Sequence, residues 1–356
     1  MDVVKATAIQ LLRRIRSQDI LSVVTFSDHA DCLISSSRSM ELTRLEARIQ
    51  MLQASGGTEL YQGLEAAYQQ VLHNFKKSYV NHIIILTDGH TYGDEQNCLD
   101  LADKAVQKGI GISGLGIGNE WNDVFLDELV RRTGGSSMYV SQPSEIQKQL
   151  LEKFNHLWQV FAEDTVLTFK ISEGISLRYA FRLQPEVGLL PVESPLPLGP
   201  IPRDDSLKVL FEFFVEPEAS KKDVVSLLEG KLDISVSTLS VPPPPIEIDL
   251  KRPVTEKTEP EPPPQEIISA LSHLTLYRLQ DQARLEVSSG EYDQAAKHLK
   301  LIATHLLLEG EKGLARDVLE QAEHIQQNKK YSKDGDKLIK YGTRALLMPG
   351  REKEGT

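Results

Sequence analysis

The stretch IIILTDGHTYGD, residues 83–94, sets a carboxylate, Asp88, directly after a run of aliphatic residues and another, Asp94, at its end. A continuous apolar run bounded by turn residues has the pattern of a strand buried on both faces. Asp88 then stands at the strand's carboxyl end. In open α/β sheets that edge binds ligands, so Asp88 is either a helix-capping or loop-bracing group or part of a site. A second oxygen donor is Thr58 in SGGTEL, whose hydroxyl can serve as a direct ligand or as the amino-terminal cap of the helix that follows. Asp94 and Glu95 suit the positive amino end of the next helix and are read as its caps, and His90 is read as a solvated loop residue. Gly114, Gly116 and Gly118 fall within and after a strand. A dinucleotide loop would set its third glycine inside a helix, so this spacing does not carry that chemistry. Trp121 and Asn122, just past the same strand, are read as packing residues.

These residues need a sheet to hold them. Val4, Ala8, Leu11, Leu12 and Ile15 repeat at helical spacing, so the sequence opens inside a helix. ILSVVTF (20–26) and DCLISSS (31–37) read as strands, followed by a helix near 41–53, the turn ASGGT (54–58) and a helix from Glu59 to about Phe75. Strands at 82–87, 109–118 and 136–141 then alternate with helices at 95–108, 122–133 and 143–160. That alternation predicts crossover units and a doubly wound, mainly parallel sheet, an α/β domain spanning 1–162.

Past this point the texture changes. TVLTFKI, ISLRYAFRL, LKVLFEFFV and KLDISVSTL alternate or are β-branched and aromatic, which predicts an all-β, sandwich-like domain over 163–240. The proline-rich, charged stretch 241–265 predicts an extended, semi-rigid linker or an arm lying along a neighbour. Residues 266–345 predict a bundle of three helices with Leu299, Ile302 and Leu306 in its core, and a polar tail that frays. Within it, GEYDQAAKHL (290–299) is similar to the second half of a tetratricopeptide-type hairpin, though one such match does not make a repeat array.

Composition narrows the function. A net charge of -11 over 356 residues argues against a nucleic-acid footprint, which needs a basic patch, and suits a cation or a basic partner. Cys32 and Cys98 are the two cysteines, too few for a disulfide framework or a Cys-rich zinc site, which fits a reducing, cytoplasmic setting. No apolar run approaches the roughly 18 residues that span a bilayer.

Taken together, ILSVVTFSD, SGGTEL, IIILTDG with GDE, GISGLGIGNEWN and FLDELVRRTGGSSMYV resemble the von Willebrand factor type A domain in order and spacing, over roughly residues 1–162. The resemblance implies a metal-ion-dependent adhesion site. There, three loops at the carboxyl edge hold Mg²⁺, or Mn²⁺ or Ca²⁺, through Asp-x-Ser-x-Ser, a Thr and an Asp. Thr58 matches the second loop and Asp88 the third. The first loop would close the central strand just ahead of the first helix, and neither strand nor loop occurs in the sequence. This implies an amino-terminally truncated chain: a fragment, a misplaced start, or a domain that receives a strand from elsewhere. Mg²⁺ wants six oxygens in octahedral geometry, so one hydroxyl and one carboxylate hold it weakly.

Two classes of function follow. In the first, a non-catalytic binding module captures an acidic residue of a protein partner through the divalent cation once the site is completed; its variant is a structural scaffold with a degenerate site. In the second, a Mg²⁺-dependent phosphohydrolase uses an aspartyl nucleophile two residues before Asp88, but that position is Leu86. The first reading is the expectation.

Overall fold

The computed structural model describes residues 2–37, 42–53, 56–217, 223–236, 238–239, 241–254 and 262–347. The turn residues Ala54 and Ser55, the middle of the proline-rich stretch and the last nine residues of the expected frayed tail lie outside that set. The chain forms two compact units, Met1–Thr255 and Glu256–Thr356.

The first unit opens with α1 (Asp2–Arg14), the hairpin β1 (Leu21–Phe26) and β2 (Ala30–Ser37), α2 (Leu42–Gln50) and α3 (Leu60–His73). Then come β3 (Asn81–Thr87), α4 (Glu95–Gln107), β4 (Ile110–Ile117), α5 (Asp123–Arg131), β5 (Ser137–Val140) and α6 (Pro143–Trp158). Strands β3, β4 and β5 pair in parallel in that order, as crossover helices require. The β1–β2 hairpin is antiparallel and forms a separate two-stranded sheet among the described residues. Two adjacent leucines explain how one helix serves both sheets. Leu11 packs with Leu115, Val140 and Ile146 on the parallel sheet, whereas Leu12 packs with Leu33, Ile34 and Ile49 around the hairpin. On the other face, α3 lies against β1, β2 and β3. The α/β architecture expected from the alternation is the one observed.

The same unit continues into β-structure: β6 (Val160–Ala162), β7 (Asp164–Lys170), β8 (Ile175–Gln184), β9 (Gly188–Leu190), β10 (Leu196–Pro197), β11 (Ile201–Pro202), β12 (Lys208–Val215), β13 (Val224–Ser235) and β14 (Ile246–Pro253). Two sheets, ordered β10-β7-β13-β14 and β12-β8-β9, enclose a shared core of Leu167, Phe169, Ala180, Leu190 and Leu228. Strand β14 falls inside the stretch that composition reads as linker or arm. It pairs with β13 from Leu232 to Val224, at the sheet's edge, where its charged residues face water and blunt further pairing.

The second unit holds four helices, α7 (Gln265–Ser289), α8 (Tyr292–Glu309), α9 (Lys312–Asn328) and α10 (Gly335–Ala345), one more than the sequence pattern predicts. The stripe Leu299, Ile302 and Leu306 is fully buried, packed on Ala283, Ala295 and Ala322. Gly290 and Gly310 end α7 and α8 in the left-handed conformation, at φ 84° and 87°, which a glycine adopts without strain. The sequence pattern leaves residues 329–344 unassigned because Lys337, Lys340 and Arg344 interrupt the apolar spacing, whereas in the structure Ile339 and the following Leu346 join the core. Among the described residues no helix is long and apolar enough to cross a membrane.

Candidate functional site

Three loops meet at the carboxyl edge of the sheets. The first follows β1, the second precedes α3 and the third follows β3. Ser27 accepts a hydrogen bond from the Glu59 amide (2.8 Å) and the Asp28 carboxylate accepts one from the Gly57 amide (2.5 Å), which ties the first loop to the second. Gly56 sits at φ 83°, a conformation other residues resist.

The start of α3 joins the second loop to the third. Its first amides have no intrahelical partner, and the third loop supplies them. Thr91 Oγ1 accepts from the Leu60 amide (3.1 Å) and Asp94 Oδ2 from the Tyr61 amide (2.8 Å), while the Thr91 hydroxyl also bonds Asp94. This corrects two expectations. Thr58 does not cap the helix: Glu59 stands at the cap position and makes no side-chain cap bond. Asp94 caps α3 rather than α4, where it occupies the cap position without a side-chain bond. The sequence hides this because the donor and acceptor lie more than thirty residues apart.

With the cap role taken elsewhere, Thr58 and Asp88 are left unengaged. Thr58 is half-buried and Asp88 exposed, and among the described residues neither side chain makes a hydrogen bond or ion pair. The loops bring Thr58 against Gly89, where an added Cβ would lie 2.6 Å from Thr58 Oγ1. A glycine after Asp88 is therefore what lets the hydroxyl-bearing loop approach the end of β3. A small depression lined by Thr58, Thr87, Gly89 and Asn122 opens beside them.

Of the neighbours, Trp121 plays the packing part expected of it, while Asn122 and Glu95 take up hydrogen bonds instead. Trp121 is buried over Gly116, whose missing side chain makes room for the indole, and its Nε1 donates to the Gly118 carbonyl (2.7 Å). Asn122 Oδ1 accepts from the Phe125 amide (3.0 Å) and caps α5. His90 stacks on Tyr92, which is 82% exposed and forms an aromatic rim that sequence reasoning passed over. Glu95 accepts from the Gly93 amide (2.8 Å) and braces its own loop.

As a cation site the edge is half built. A neutral hydroxyl and a carboxylate, both unengaged, are donors of the hard-oxygen kind that Mg²⁺, Mn²⁺ and Ca²⁺ take. They are two donors where about six are needed, and among the described residues no cluster of three or more His, Cys, Asp or Glu is placed to hold a metal. The residues present do not make a complete centre.

The opposite, amino-terminal edge is a different kind of surface. Here the loop between α5 and β5 meets the β-sandwich. The Arg182 guanidinium donates to the carbonyls of Gly134, Gly135 (3.1 Å), Leu198 (2.8 Å) and Glu186 (2.8 Å). Glu186 receives Lys153 Nζ (2.5 Å) and the Ser136 hydroxyl (2.5 Å) on one oxygen and His156 Nδ1 (3.2 Å) on the other. Burial pushes the Glu186 carboxyl up, but Lys153, His156 and Arg182 together outweigh it and hold the group well below the usual carboxylate range. His156 is raised, chiefly by its bond to Glu186. Burial, with Lys153 nearby, pushes His82 down to about 3, so it is the neutral ring that bonds Ser113 (2.9 Å).

Comparison with known proteins fits this layout. Residues 1–153 match the family model of the von Willebrand factor type A domain, and residues 265–349 match the one described as the Sll0103-like, C-terminal alpha-helical domain. The chain is 25% identical over 315 residues to the uncharacterized protein sll0103 of Synechocystis sp., a match that covers 85% of this chain and 74% of that one. It is 28% identical over 158 residues to the uncharacterized protein YfbK of Escherichia coli, covering 43% of this chain and 28% of that one. Among solved structures, a von Willebrand factor type A protein from Catenulispora acidiphila matches with a TM-score of 0.74 at 16% identity, over 96% of this chain and 84% of that one. The ArnB paralog VWA2 from Sulfolobus acidocaldarius matches with a TM-score of 0.55 at 17% identity, over 98% and 84%. At these identities the two structures bear on the fold.

Proposed function

From the premise that residues 1–153 form a von Willebrand factor type A domain and residues 265–349 a Sll0103-like helical domain, we propose that this protein is a non-catalytic binding module. Its carboxyl edge captures a carboxylate of a protein partner through a divalent cation, Mg²⁺ or a similar ion. Thr58 and Asp88 furnish two of the cation's oxygens, and the remaining positions are filled by donors outside the described residues, by water and by the partner's acid. The single observation that carries this reading is that, among the described residues, the two donors stand at one edge unengaged, while Thr91, Asp94 and Asn122 beside them are bonded to backbone amides. A cation with an open coordination position takes a carboxylate oxygen as its next ligand without any covalent step.

The phosphohydrolase reading has lost ground. Leu86, at the position a nucleophilic carboxylate would need, packs among the apolar residues between the sheet and α1. A scaffold whose site has decayed is the remaining alternative, and the incomplete donor set favours it.

The test is Mn²⁺ binding by the full chain, followed by electron paramagnetic resonance, in the native protein, Asp88→Ala and Thr58→Ala. The binding-module reading expects saturable binding that weakens at least tenfold in Asp88→Ala and less in Thr58→Ala. Binding that is absent, or identical in all three proteins, favours the scaffold.

A further inference from the structure

The two edges of the α/β domain differ in charge as well as in packing. The loops at the carboxyl edge, after β1 (27–29), ahead of α3 (51–59), after β3 (88–94), after β4 (118–122) and after β5 (141–142), hold Asp28, Glu59, Asp88, Asp94 and Glu120 and no lysine or arginine. The loops that enter β1, β3, β4 and β5 at the opposite edge reverse this, with Arg16, Lys76, Lys77, Lys108 and Arg132 against the single acid Asp19. Charge is sorted by edge.

Two of the acids stand beside Thr58. Asp28 Oδ1 accepts from the Gly57 amide (2.5 Å), one residue before Thr58, and Glu59 is the residue after it. Both are exposed, whereas Asp94 is committed to the Tyr61 amide. At physiological salt, charges act on one another over about 8 Å, and neighbours this close fall inside that range. A divalent cation held by Asp88 keeps one positive charge, and Asp28 and Glu59 more than offset it. A partner that brings only a carboxylate is therefore opposed, and one that also brings a positive charge is not.

The same edge is apolar at two points. Tyr92 is 82% exposed and Val124 63% exposed, which makes them outliers among the large apolar side chains of this domain. Each adjoins a residue that lines the depression beside Thr58: Tyr92 follows Thr91, and Val124 precedes Phe125. The Tyr92 ring stacks on His90, and Thr91 and Asp94 on either side of it tie its loop to α3. A ring held on a fixed loop loses little freedom when a partner covers it. We infer that the partner segment bound at this edge carries, beside its carboxylate, a lysine or arginine that meets Asp28 and Glu59 and an apolar side chain that covers Tyr92 and Val124. The assignment rests on the binding-module reading above and adds to it the chemistry that surrounds the partner's acid.

The test is a selection of phage-displayed heptapeptides on the immobilised full chain, in Mn²⁺ and in EDTA. One library fixes aspartate at the centre and a second fixes asparagine there, with the other positions random. In the aspartate library with Mn²⁺, lysine or arginine is expected to be enriched over aspartate or glutamate about threefold, the size of an exposed charge pair. Leucine, isoleucine, phenylalanine and tyrosine are expected to be enriched over serine about tenfold, the size of partial burial of one such side chain. Selection on the double variant Asp28→Asn with Glu59→Gln should lose the first preference and keep the second. Tyr92→Ser with Val124→Ser should do the reverse, each variant being checked for native circular dichroism. Aspartate peptides recovered in Mn²⁺ with no preference at the flanks would uphold capture through a cation and overturn the inference. The flanking preferences recovered equally with asparagine at the centre, or in EDTA, would overturn capture through a cation and uphold the basic and apolar contacts. Peptides that match the starting library in every arm overturn the inference, as do flanking preferences that survive in both double variants.

Discussion

One sheet has two unlike edges. At the amino-terminal edge His82, Ser113, Ser136, Lys153, Arg182 and Glu186 are bonded to one another and to backbone carbonyls, and the β-sandwich roofs them over. At the carboxyl edge, among the described residues, Asp88 is exposed without a partner, Thr58 is half-buried without one, and Thr91 and Asp94 bond backbone amides at the start of α3. The first edge commits its polar groups to cohesion, whereas the second commits only enough to fix its loops. Stability and binding should therefore separate cleanly between mutations at the two edges, and that separation can be tested in order of size.

The largest effect belongs to Glu186. Removing it leaves Lys153, 5% exposed, buried beside Arg182 without its counter-charge. Breaking a buried pair in this way costs about 3–5 kcal/mol, so Glu186→Ala is expected to lower the denaturation midpoint strongly while leaving Mn²⁺ binding per folded molecule unchanged. A stability loss below about 1 kcal/mol would mean the network contributes little, and the contrast between the edges would fail. The pH dependence has two signs. Glu186 is depressed in the folded protein, so its contribution is present above the ordinary carboxylate range and is lost on acidification through the folded value. His156 is raised, so its contribution is full below about 6.5 and lost as pH rises through the folded value. Thermal melts between pH 3 and 9 should show stability falling on both sides. In Glu186→Gln the alkaline fall should disappear, because His156 no longer has its partner.

Gly89→Ala comes next. The new Cβ meets Thr58 Oγ1 at 2.6 Å, while Thr58 Cβ lies 3.6 Å away, so the threonine can yield by turning its hydroxyl aside. The stability cost is put at about 1 kcal/mol, the low end for overpacking, and Mn²⁺ binding should weaken as much as in Thr58→Ala. Normal binding in Gly89→Ala would show that the hydroxyl's position does not matter to the site.

How much of this could be read from the residues follows from how local each signal is. The run Ile83–Leu86 closing on Asp88 announces a buried strand and its exposed end within one short stretch, and the aliphatic and glycine patterns of β4 do the same. Those are the elements that sequence reasoning placed. The capping of α3 by Thr91 and Asp94 depends on two loops meeting in space, so sequence reasoning assigns Asp94 to the helix that follows it and leaves the cap of α3 as one of two roles open to Thr58. The Lys153–Glu186–His156 network joins α6 to the turn between β8 and β9, some thirty residues on, and nothing in their local sequence distinguishes them from surface charges. Strand β14 was obscured by the prolines that precede it, and α10 by its lysines.

Asp94→Ala should cost about 1 kcal/mol, the usual loss when a cap is removed, because the Tyr61 amide would have only water in place of the carboxylate. The smallest stability effect, and the sharpest form of the comparison, belongs to Asp88→Ala. Its carboxylate is exposed and takes no part in any bond among the described residues, so its removal should change stability by less than about 0.5 kcal/mol. If Asp88 instead braces its loop, the same substitution would destabilise the fold by an amount comparable to Asp94→Ala. Equal losses in the two variants would make the carboxyl edge another structural network. A silent Asp88→Ala beside a costly Asp94→Ala would divide that edge into one acid that holds the loops and one left available for a ligand.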